Sequence, residues 1–109
     1  MSKDSKDIIL AVLKYSNDSL DDEIIDFSKV NEDSLNVSYS RYCRVLMMMV
    51  DEGLISGLAP ITFVDRFYTE YKPTDPSITL KGIDYLERNK ISTKAYAILK
   101  EIREWVPGL

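Results

Sequence analysis

The sequence predicts an α+β domain, and three stretches carry the prediction. Residues 38–58 read as a capped helix, a glycine stop and a short strand leaving in a new direction. Residues 60–71 are rich in β-branched and aromatic side chains, the composition of a hairpin. Elsewhere, apolar residues recur three and four apart, as amphipathic helices require. A short helix, a tight turn, a longer helix and then a hairpin is the order of a winged helix-turn-helix. The expected architecture is therefore a three-helix core plus a β-hairpin wing, with two additional C-terminal helices, in one domain over residues 1–109.

The first helix is expected over residues 5–16, with Ile8, Ile9, Val12, Leu13 and Tyr15 on one buried face. Ser16, Asn17, Asp18 and Ser19 form a turn cluster whose side chains bond local backbone. Residues 20–25 admit two forms. One is a helical turn capped by Ser19, with Asp21, Asp22 and Glu23 near its positive end. The other is an extended lead-in to a short strand at 25–27. These acids lack the glycine-bearing spacing of a calcium loop and read as a solvated face. A brief second helix covers 31–35, with Asn31 near its cap and Leu35 inward.

The third helix, 38–52, starts at Ser38, whose hydroxyl accepts from an unpaired first-turn amide. Tyr42, Val45, Leu46, Met49 and Val50 make its buried stripe, and Cys43 is a small packing residue on the rim. Gly53 ends it in the left-handed conformation, which costs a residue with a Cβ about 1–2 kcal/mol. Wing strands are expected at 54–64 and 67–72. Phe63, Phe67 and Tyr68 lie beside Arg66 near the tip. They read as cross-strand pairs, with stacking on bases as the alternative. Pro73 and Pro76 then bracket a break. Thr79 caps the next helix, 80–89, with Leu80, Ile83 and Leu86 inward, and Gly82 implies close packing. The last helix, 92–105, carries a stripe of Ala95, Ile98, Leu99, Ile102 and Trp105. Either the first helix or a second copy of the chain must cover it, so a homodimer through this helix is one expectation.

Composition removes most chemistry. The sequence has no histidine and one cysteine. A Ser-His-Asp triad, a Cys-His dyad, an internal disulfide and histidine or cysteine metal sites are impossible. No catalytic residue, metal site or cofactor is expected, and the chain reads as a non-enzyme. No apolar run approaches the roughly 20 residues that cross a bilayer. No secretory leader opens the sequence, so no membrane association and a cytoplasmic location are expected. Net charge is −4 and unevenly spread: residues 1–37 hold four Lys or Arg against nine Asp or Glu. The reading helix and wing are neutral, short of the basic footprint of a strong nucleic-acid binder.

Two functions remain. On the face opposite the buried stripe lie Ser40, Arg41 and Arg44, which with Tyr39 are candidates to meet base edges or phosphates of duplex DNA, with Arg66 and Lys72 on the wing. A solvated face carries arginines equally well. The competing function is a protein-interaction module without DNA binding, its partner surface formed by Met47, Met48 and Trp105.

Five segments carry a likeness. They are Asp26-Phe27-Ser28, the run from Ser34 to Ser38, the run from Asp51 to Gly57, the run from Ile78 to Asn89, and the stretch from Lys94 to Leu109. Over about residues 26–109 the chain resembles the YjcQ family of small bacterial and prophage-borne proteins, most specifically in ITLKGIDYLERN. The resemblance implies a winged-helix-like fold and brings no catalytic or ligand residues with it.

Overall fold

The computed structural model describes residues 4–62, 67–89 and 93–101. Helix α1 spans Ser5–Asp18, followed by a 3-10 turn at Phe27–Val30, α2 at Glu32–Leu35 and α3 at Tyr39–Asp51. Strands β1 (Ile55–Ile61) and β2 (Glu70–Ile78) pair antiparallel, and α4 (Leu80–Arg88) and α5 (Thr93–Glu101) complete the described chain. The architecture is α+β: five helices and one two-stranded hairpin among the described residues.

Helix α1 is the element on which the others pack. Ile8, Leu10, Ala11, Val12 and Leu13 are each at most 2 % exposed. The sequence pattern predicts one buried face, but six consecutive apolar residues turn through every direction at about 100° per residue. The helices α3, α4 and α5 and strand β2 surround them. The helix also runs two residues further than the turn cluster predicts. Ser16 is buried inside it, its hydroxyl donating back to the Val12 carbonyl at 2.8 Å.

Residues 19–24 take neither of the two expected forms. They make turns and bends, and residues 27–30 are 3-10 helix where a strand was one alternative. Ile25 and Phe27 are buried as anchors. The Tyr15 hydroxyl donates to the Asp26 carbonyl at 3.3 Å, tying the segment to α1. The Asp26 carboxylate accepts from the Ser28 hydroxyl at 2.6 Å and its amide at 3.0 Å. These bonds hold its pKa below the usual carboxylate range.

Helix α2 is capped by Asn31, which accepts from the Ser34 amide. Asn36 takes the left-handed conformation at φ 56° and turns the chain into α3. Ser38 caps α3, its hydroxyl accepting from the Arg41 amide at 3.3 Å. Tyr42, Val45, Leu46 and Met49 are buried as the stripe predicts, and Val50 is half-buried. Cys43 is 1 % exposed, inside the core and not on its rim. Gly53 sits at φ 71° and ends the helix.

The hairpin corrects the expected break at residues 73–76. β2 runs straight through Pro73 and Pro76 to Ile78. Each strand of a two-stranded sheet has an unpaired edge, where a missing N–H costs nothing. Ser56 pairs with Ser77, but Leu58 pairs with Pro73, so Thr74, Asp75 and Pro76 bulge opposite Gly57. Gly57 sits at φ 78°, and a Cβ there would collide with the Asp75 backbone. Thr74 donates its hydroxyl to the Gly57 carbonyl at 3.0 Å. Turn-forming residues therefore shape a bulge inside a strand. β1 falls inside the expected 54–64, whereas β2 starts three residues and ends six residues later than the expected 67–72.

Thr79 caps α4 by accepting from the Gly82 amide at 3.0 Å, and its own hydroxyl donates to the Gly53 carbonyl. Gly82 lies against the Leu54 carbonyl, where a Cβ does not fit. That contact orients the helix: Ile83 and Leu86 turn partly inward, and Leu80 is 81 % exposed. The inward reading of Leu80 is thus overturned, because it lies about 200° around the helix from Gly82. In α5, Ala95, Ile98 and Leu99 are buried, and α1, with α2 beside it, packs on α5. Ile102 and Trp105 of the expected stripe lie outside the described residues.

Candidate nucleic-acid interface

The outward face of α3 opens into a hollow of about 320 Å³. Ser5, Ser38, Ser40, Arg41 and Arg44 line its polar part, and Val45 and Met48 its apolar end. Helical spacing explains the grouping. Residues 40, 41, 44, 45 and 48 fall on one arc at intervals of three and four, roughly opposite Leu46. Ser5 comes from a different element, the first turn of α1.

The two arginines lean to opposite walls. Arg41 donates from Nη1 to the Ser5 hydroxyl at 3.1 Å, which orients its guanidinium towards α1. Arg44 is exposed and lies 5.8 Å from the centre of the Tyr68 ring, on the chain leading into β2. An arginine over an aromatic face is held by the ring quadrupole and keeps its five donors available at the edge. The Ser38 and Ser40 hydroxyls, in the same lining, stand 3.4 Å apart.

Tyr39 forms the border with the hairpin. Its ring meets Tyr68 edge-on at 6.1 Å, and its hydroxyl donates to Glu70 Oε1 at 2.7 Å. The Glu70 bond, with burial second, raises the Tyr39 pKa well above that of a free phenol. The aromatic contact expected across the hairpin is thus made, for Tyr68, to α3. Phe67 is 94 % exposed.

Of the residues singled out from sequence, the structure brings Ser40, Arg41, Arg44 and Met48 into one hollow and sets Tyr39 at its edge. Met48 belonged to the competing partner surface. It is 44 % exposed and shares the hollow with the arginines, so the two expected surfaces overlap. Met47 is half-buried. Lys72 is exposed on β2 and is not among the lining residues; alternation puts it on the strand face opposite Tyr71, which packs on the core. Arg66 and Trp105 lie outside the described residues. Sequence reading missed Ser5 and Glu70, which reach the site over separations of 36 and 31 residues.

Comparison with known proteins places the chain. A family model described as YjcQ protein matches residues 9–105. The chain belongs to the YjcQ family. A relative from Bacillus subtilis (strain 168), the "Uncharacterized protein YjcQ", is 30 % identical over 77 residues. The aligned region covers 71 % of this chain and 78 % of that protein. The YjcQ match begins within α1, so it takes in the acidic front that the resemblance over about 26–109 leaves out. No solved structure matches the chain. Among the described residues, no helix of this YjcQ-family member is long and apolar enough to cross a membrane.

Proposed function

We propose that the chain is a winged helix-turn-helix module that binds duplex DNA. Helices α2 and α3 form the helix-turn-helix, α3 enters the major groove, and the β1–β2 hairpin is the wing. The observation that carries this reading is the hollow on α3. Two guanidiniums and three hydroxyls converge there from two helices and a cap, and no acid is among its described lining residues. A helix of 13 residues extends about 20 Å and fits a groove about 12 Å wide. The net charge of −4 opposes affinity from the rest of the surface, so contact is confined to this face.

The test is the anisotropy of a labelled duplex as a function of salt. The logarithm of the binding constant falls linearly with the logarithm of salt concentration. The double variant Arg41→Ala, Arg44→Ala lowers that slope by about two units. No measurable salt dependence, or a slope indifferent to both arginines, ends the DNA reading.

Two observations favour a second reading, a protein partner seated on the same face. Met48 is exposed in the hollow, and the Glu70 carboxylate stands beside Tyr39 at its border. A partner held there is released by Met48→Asp or Met47→Asp. Retention of duplex with no captured partner removes this reading. Pairing of two copies through the C-terminal helix and Trp105 is a separate proposal, and a monomer by light scattering at high concentration refutes it.

A further inference from the structure

The hollow on α3 has chemistry more specific than a basic surface. Its polar end holds Arg41, Arg44, Ser40 and Ser5, and its apolar end holds Met48, about one turn beyond Arg44 and two beyond Arg41. We infer that it is a seat for one phosphate ester of a nucleotide, with the phosphoryl group between the two guanidiniums and the sugar over Met48. The inference rests on the reading of this face as the DNA-contacting one and names what the face holds.

Hydrogen-bond inventory supports it. The Ser5 hydroxyl accepts from Arg41 Nη1, which leaves its own proton to donate. Arg41 is thereby aimed by α1, and Arg44 is aimed by the Tyr68 ring from the other side. Guanidiniums pre-oriented in this way lose less freedom on meeting phosphate oxygens than free surface arginines do. Ser5 is a positioning residue, since it acts on the ligand largely through Arg41. A free nucleotide and a backbone phosphate of duplex DNA present the same group, and the experiment separates them.

Amide shifts of the isotope-labelled full chain are followed at constant ionic strength with three probes: inorganic phosphate, thymidine 5′-monophosphate and a duplex. Inorganic phosphate is expected to move Ser5 and residues 38–41 saturably, where chloride does not. Thymidine monophosphate binds more tightly than phosphate, and Met48→Ser removes that gain. Ser5→Ala weakens phosphate about fivefold, the worth of one ordinary hydrogen bond. Arg41→Gln with Arg44→Gln abolishes binding while the remaining amide spectrum stays folded. Ser40→Ala, on a half-exposed helical position, gives a second variant that leaves the fold intact and weakens phosphate.

Phosphate shifts that match those of chloride, or that survive the double arginine variant, overturn the proposal. Duplex binding that depends on both arginines but ignores Ser5→Ala and Ser40→Ala also overturns it and leaves the DNA reading standing. Binding of phosphate and thymidine monophosphate without any duplex binding supports the seat and removes the DNA reading.

Discussion

Helices α1 and α3 are of similar length, 14 and 13 residues, and have opposite fates. The middle of α1 is covered on every side. α3 buries Tyr42, Val45, Leu46 and Met49 and turns Arg44 and Met48 to solvent. The difference follows from their sequences. α1 carries six apolar residues in a row, which no single interface accommodates, so the fold wraps it. α3 alternates apolar and polar residues at helical spacing and keeps one face free. A helix used for structure on all sides has nothing left to present. In this molecule the free face belongs to α3, and among the described residues α1 lends its hollow Ser5.

Substitutions sharpen that contrast. Leu13→Ala in α1 empties a fully buried position and is expected to cost about 2–5 kcal/mol by denaturant unfolding. A loss below about 1 kcal/mol would show that α1 is not the packing centre. Ser38→Ala removes the N-cap of α3 and is expected to cost about 1 kcal/mol. Met48→Ala, on the free face, is expected to stay within about 0.5 kcal/mol of the parent. A large loss there would mean that the hollow is filled in solution.

The smallest effect concerns the Asp26 cap of the 3-10 turn. The Asp26 pKa lies below its unfolded value in the folded chain, because Ser28 bonds the charged form. Its contribution is therefore present above the unfolded carboxyl pKa and is lost as pH falls through the lowered folded value. Asp26→Asn is expected to flatten that part of the acid limb of the stability curve and to leave stability near neutral pH only slightly reduced. An unchanged acid limb refutes the assignment.

Local signals account for what the sequence made legible. The cap at Ser38, the stripe from Tyr42 to Met49 and the stop at Gly53 lie within 16 residues, and α3 forms as they predict. The Asn31 and Thr79 caps were equally readable. Strand β2 was not, because Pro73 and Pro76 signal a break unless the partner strand offers a glycine bulge and the edge is free. Leu80 was misread because its orientation is decided by Gly82 against the Leu54 carbonyl, a tertiary contact. In the site, α3 supplied its own residues visibly. Ser5, Tyr68 and Glu70 arrive through packing, and nothing near them in sequence announces that they meet α3. The unbroken apolar run of α1 signals all-round burial, where the spacing of its apolar residues led to an expectation of one buried face.

The most direct test of the free-face claim is a titration of the isotope-labelled chain with duplex DNA, followed amide by amide. The account predicts shifts concentrated at Ser5, residues 38–48 and the hairpin, with residues 8–13 of α1 silent. Shifts centred on the acidic segment 20–24, or none at a duplex concentration that saturates ordinary winged-helix modules, would contradict it.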